Sequence, residues 1–187
     1  MQRYLAAAAV LLLVLLVIAR AFQFKKLGIK VLRFGEMDKK DFIIVPFALF
    51  LFYLIITGAF RLPTLGKTLF DIGWIAWAGV AFCALGVAMF AWALVSFGRS
   101  FRVGLDEDHA GELVTSGAFA FSRNPIYTAF ALVFAGMFLT MPNWIILVYL
   151  ALGATVIFRQ IRLEEASLRK VYGEKYDAYC KKVRRFL

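Results

Sequence analysis

Five apolar runs separated by polar blocks leave this chain few ways to fold. They cover residues 4–19, 42–60, 72–95, 125–141 and 144–158. About 20 apolar residues cross a bilayer as a helix. The first run reaches that length once Ala21 and Phe22, beyond Arg20, are counted. Its alternative reading is a signal peptide, because Ala19-Arg20-Ala21 mimics a cleavage site. Hydrophobic residues make up 63% of the 187, too many for an ordinary soluble domain, and the 20 Phe suit lipid contact. The third run carries Gly73, Gly79 and Gly86, small residues that let helices pack closely.

The expected fold is therefore all-α and integral to the membrane. Five transmembrane helices are followed by a cytoplasmic amphipathic helix. The fourth and fifth runs, joined only by Pro142-Asn143, form a C-terminal helical hairpin. Residues 1–91 hold the N-terminal spans, the third ending near residue 95, and residues 92–187 form the functional core. Charge sets the orientation. Segments 20–41, 96–124 and 159–187 hold seven, three and nine of the 22 Lys and Arg. The opposite side has only Arg3, Arg61 and Lys67. By the positive-inside rule the N-terminus is outside, and both large polar blocks and the C-terminus are cytoplasmic. The net charge of +10 follows from the same rule and does not point to nucleic acid. The two cysteines, Cys83 and Cys180, and the lone His109 offer no disulfide framework and no zinc spacing, so no metal is expected.

Two polar blocks carry the chemistry. The first runs from Gly111 to Tyr127 and leads directly into the fourth apolar run. Asn124 is a natural N-cap there, and Pro125 at the first helical position gives up no needed hydrogen bond. The second block is residues 159–187. Ile157, Ile161, Glu164, Leu168 and Val171 recur at helical spacing and share one face. Glu164 thus sits in an apolar stripe and needs a partner, either a cationic ligand or a neighbouring amide or arginine. Glu165 is expected to turn toward Arg162 and Arg169 as a solvated ion pair. Gly173 reads as a helix C-cap. Tyr172, Tyr176 and Tyr179 then continue as an amphipathic segment, and Lys181, Lys182, Arg184 and Arg185 should lie against anionic head groups. The two runs of the hairpin have matched lengths, so Asn124 should lie level with 160–164, within about one helix-to-helix spacing.

These blocks carry a resemblance. Leu113-Val114-Thr115-Ser116-Gly117 followed by Ser122-Arg123-Asn124-Pro125-Ile126-Tyr127 is similar to the first signature of the isoprenylcysteine carboxyl methyltransferases, which the phospholipid N-methyltransferases partly share. Glu164-Glu165, Leu168, Tyr172-Gly173-Glu174, Tyr176 and Tyr179 resemble the second. Residues 92–187 are covered. The resemblance implies a membrane-embedded, S-adenosylmethionine-dependent methyltransferase acting on a lipophilic or lipid-modified acceptor. It implies donor contacts at Leu113, Val114, Phe119, Asn124, Pro125, Ile126, Tyr127 and Glu164. The family's usual histidine is replaced by Asn124, and its tyrosine by Phe119. An arginine that holds the substrate carboxylate in eukaryotic members falls at Gln160, so Gln160, Arg123 and Arg162 are the candidate acceptor-side residues. No catalytic acid or base is implied, since in-line methyl transfer mainly needs orientation and desolvation. A phospholipid N-methyltransferase, an NADPH-dependent membrane reductase and a non-catalytic membrane protein are the competing readings.

Overall fold

The computed structural model describes residues 1–26, 44–60, 62, 65–98 and 112–187. The basic residues of 27–43, the acidic cluster 106–108, His109 and Gly111 lie outside the described residues. Among the described residues six helices follow in order: α1 Gln2–Lys26, α2 Ile44–Ala59, α3 Gly73–Phe97, α4 Pro125–Thr140, α5 Trp144–Tyr172 and α6 Glu174–Lys182. A 3-10 turn, Gly117–Ala120, precedes α4. The described residues contain no β-strand, only an isolated bridge between Thr68 and Asn143.

The apolar runs become helices because nothing inside them competes for the backbone, and their ends carry breakers. Pro125 stands at the first position of α4. Asn143 caps α5, its side chain accepting from the Ile145 amide at 2.8 Å. From Trp144 the next breaker beyond the membrane run is Gly173, so α5 continues unbroken for 29 residues. The fifth apolar run and the charged helix after it are thus one element. Gly173 takes φ 52°, a left-handed value that favours glycine. It ends α5 and turns the chain directly into α6.

Among the described residues three helices, α1, α3 and α5, are long and apolar enough to cross a membrane. With α2 and α4 beside them they make an integral membrane protein. Each of α2 and α4 has 16 residues, about 24 Å at 1.5 Å per residue, short of a bilayer's hydrocarbon thickness.

The core lies where α3 and α4 pack along their lengths, with α1 and α2 against them. Phe90 and Leu94 of α3, Ala129, Val133 and Met137 of α4, Val10 and Leu13 of α1, and Ile55 of α2 form one buried cluster. Backbone approach is closest at Gly79 and Gly136. A Cβ on Gly79 would lie 2.6 Å from the Gly136 carbonyl oxygen, and a Cβ on Gly136 would lie 2.5 Å from that of Gly79. Gly86 likewise faces Val133, whereas Gly73 faces open space and plays no part in packing.

The fourth and fifth runs do not pack as a continuous hairpin. α4 spends its surface on α3, and α5 meets it only sparsely. The two helices are joined at the Met141–Asn143 turn and meet again at the start of α4. Between these points α5 leaves Leu147, Val148, Leu152, Val156 and Phe158 exposed.

Candidate functional site

The second meeting point of α4 and α5 gathers the sequence's unusual polar residues. Two carboxylates sit side by side and face different partners. Glu164 accepts a hydrogen bond from the Tyr127 hydroxyl at 2.6 Å and another from the Gln160 amide at 3.0 Å. Both fall on Oε1, and no described group donates to Oε2. Tyr127 is in the first turn of α4, and Gln160 is one turn before Glu164 on α5. The three residues therefore meet because the stretch of α5 just beyond its apolar run lies against the start of α4.

Glu165 is not a solvated partner of Arg162 and Arg169. It is 7% exposed. Arg185 grips it with two nitrogens, the shortest contact being 2.7 Å. Arg123 stands 3.5 Å from its Oε1, and the Asn124 side-chain amide donates to that oxygen at 3.3 Å. Arg169 instead pairs with Asp177 of α6 at 2.8 Å. The cause is chain reversal at Gly173. α6 folds back on α5, and the segment after it crosses the start of α4 and covers the flank that bears Glu165. The face expected from Ile161 and Glu164 is real, but it is wide enough to include Glu165.

The same segment is stitched to α4 through its backbone. The Arg123 amide donates to the Arg184 carbonyl at 2.9 Å. The Asn124 side chain and the Ser122 hydroxyl both donate to the Arg185 carbonyl, at 3.2 and 3.3 Å. Asn124 therefore occupies the cap position of α4 without capping it, since its side chain is turned to Glu165 and Arg185. The Ile126 and Tyr127 amides are left without a side-chain cap. Arg185 is accordingly not spread on a membrane surface, while Lys181, Lys182 and Arg184 are exposed.

The loop before α4 is fixed from two sides. Ser96 at the end of α3 accepts from the Ala118 amide at 3.0 Å. Gly117, at φ 60°, is needed there because a Cβ would run into Ser96 Oγ. The buried Phe119 ring meets Phe97 edge-on at 4.6 Å, and its carbonyl accepts from the Tyr179 hydroxyl of α6 at 2.6 Å. Burial pushes the Tyr179 phenol up to about 12, so it remains a donor. The hydrogen bonds to Glu165 raise the Arg185 guanidinium's pKa above its ordinary value.

Of the residues singled out in the sequence, Asn124, Pro125, Ile126, Tyr127, Glu164 and Gln160 come together, with Arg123 beside them on Glu165. Leu113 and Val114 are half-buried in irregular chain leading to the 3-10 turn. Phe119 braces the loop. Arg162 is exposed and joins neither cluster. Arg185 was not foreseen as a site residue. Its signal was indirect: a glycine followed at once by more helix implies a reversal that returns the tail to the site.

Among the described residues, the helical bundle of this membrane protein gathers carboxylate, amide and guanidinium groups at the start of α4. The family model described as phospholipid methyltransferase matches residues 74–175, and the chain belongs to that family. It is 28% identical over 133 residues to a probable protein-S-isoprenylcysteine O-methyltransferase of Oryza sativa subsp. indica, covering 68% of this chain and 66% of the relative. It is 32% identical over 111 residues to the protein-S-isoprenylcysteine O-methyltransferase of Schizosaccharomyces pombe, covering 57% and 46%. It is 29% identical over 115 residues to protein-S-isoprenylcysteine O-methyltransferase B of Arabidopsis thaliana, covering 59% and 57%. The chain thus spans about two thirds of the rice protein's length and about half that of the other two.

Proposed function

We propose that this protein is a membrane-embedded methyltransferase that uses S-adenosylmethionine to methylate a lipophilic acceptor. The observation that carries the reading is Glu164, held through one oxygen by Tyr127 and Gln160 at the uncapped start of α4. The donor bears an ammonium group, a carboxylate and a sulfonium. Glu164 suits the cationic groups through its second oxygen, and the Ile126 and Tyr127 amides suit the carboxylate. When bound, the donor supplies an electrophilic methyl group. Tyr127 and Gln160 orient the carboxylate, and the buried Phe119 side chain anchors the loop that leads into α4. The exposed apolar flank of α5 leads to Gln160, which supports an acceptor that arrives from the bilayer. Family membership favours this reading over a reductase or a non-catalytic scaffold.

Binding is the direct test. S-adenosylhomocysteine or sinefungin should raise the melting temperature of the protein in detergent, and NADPH should not. Stabilisation by NADPH alone would overturn the assignment. Labelled donor presented with prenylcysteines and with phospholipids in parallel should then identify the acceptor as carboxylate or amine.

The distribution of Lys and Arg supports a five-span topology with the N-terminus outside and the site on the cytoplasmic face. The ends of α1, α3 and α5 and the starts of α2 and α4 belong to that face. Cysteines introduced at Leu65 and Ser116 should label from opposite sides of sealed vesicles. Labelling of both from one side would refute the topology.

A further inference from the structure

We infer that the segment following α6 is a working part of the donor site, with Arg185 as a positioning residue acting through Glu165 and Asn124. The inference rests on the donor reading above. Arg185 has no hydrogen bond to Tyr127 or Glu164, yet it joins the residues on either side of them. Its guanidinium holds Glu165, the residue next to Glu164 on α5, through contacts of 2.7 to 3.2 Å. Its carbonyl accepts from Asn124 and Ser122, the residues that lead into α4. Asn124 closes the triangle by donating to Glu165. A single residue of the tail thus ties this stretch of α5 to the beginning of α4.

That tie has two consequences for the ligand groups. Asn124 is drawn away from capping α4, which leaves the helix's first amides open. Glu165 is fixed in rotation about α5, so Glu164, 100° further round the same helix by α-helical geometry, is aimed at Tyr127. Along the membrane run α5 leans little on α4, so this clasp, the Tyr127–Glu164 bond and the Met141–Asn143 turn define their relative placement. Phe186 reinforces it, its ring meeting Phe158 of α5 edge-on at 5.7 Å.

The experiment is calorimetric titration of S-adenosylhomocysteine into the full-length protein in nanodiscs, with melting temperature recorded for each variant. Wild type must bind the analogue; if it does not, the donor reading itself fails. Arg185→Gln should weaken binding by about tenfold, and Arg185→Lys, which keeps the charge but loses the two-nitrogen grip, by about threefold. Arg184→Gln, which removes an exposed side chain and keeps the backbone contact, should leave affinity within about twofold of wild type. In a Glu165→Gln background the effect of Arg185→Gln should largely vanish, because the two act as one unit. If Arg185→Gln fails to fold, Arg185→Lys decides the matter by the same reading. Wild-type affinity in the Arg185 variants, with or without a lowered melting temperature, would show that the clasp only holds the tail down and would overturn the inference.

Discussion

The two ends of the helix bundle are closed by different chemistry. At one, Leu69 donates its amide to the Pro142 carbonyl at 2.8 Å, and Asn143 donates to the Leu65 carbonyl at 2.9 Å. The groups are neutral and mostly backbone, and Arg3 is the charged residue lining the small pocket beside them. At the other end two carboxylates, two guanidiniums and a phenol share the junction. Neutral hydrogen bonds are enough to join helices, each contributing about 0.5–1.5 kcal/mol net. Burying carboxylates is costly unless they are paired. This chain shows the less demanding solution at its own opposite end. The charges at the start of α4 are thus more than joining two helices requires, which agrees with the ligand site proposed there.

Substitutions can break this contrast. The largest effect is expected for Glu165→Ala, which strands Arg123 and Arg185 together. It should cost roughly 2–3 kcal/mol in denaturant unfolding, less than a wholly buried pair because Arg185 is partly exposed. Glu164→Gln should weaken S-adenosylhomocysteine binding by about 1–3 kcal/mol in calorimetry while changing stability less, the pattern of a ligand contact. Asn143→Ala should do the reverse, lowering stability by about 1 kcal/mol through the lost cap and leaving the analogue's affinity alone. If Asn143→Ala also impaired binding, the two ends would not be functionally distinct. Arg162→Gln sharpens the picture at the small end of the scale, with under about 0.5 kcal/mol expected in both measurements.

What the sequence revealed follows the range of the forces involved. Helix starts at Pro125 and Trp144 were legible because caps and prolines act within a few residues. The stripe through Ile161 and Glu164 was legible because helical spacing is local. The meeting of the two motifs followed from one short turn at Pro142-Asn143. The environment of Glu165 was not legible, since it depends on a segment 20 residues further on that returns after Gly173. Continuous α4–α5 packing was expected from the short turn, but the glycines at 79 and 136 give α4 a closer partner in α3. The turn constrains where α5 begins, and it does not decide which neighbour α4 prefers.

The contact between Gly79 and Gly136 has a mechanical meaning. Where two helices meet main chain to main chain, no rotamers exist to absorb a sliding motion. α3 and α4 therefore behave as one stiff frame carrying Tyr127. Glu164 and Gln160 ride on α5, a helix of about 43 Å beside an α4 of about 24 Å. The apolar part of α5, residues 144–158, spans only about 22 Å and is shorter than the hydrocarbon layer, so a thicker membrane must thin around it or draw its flanking residues inward. The Tyr127–Glu164 contact is then expected to respond to the thickness of the surrounding lipid. Turnover in vesicles should pass through an optimum as acyl chain length is varied, and stiffening the bundle's core should not remove that optimum.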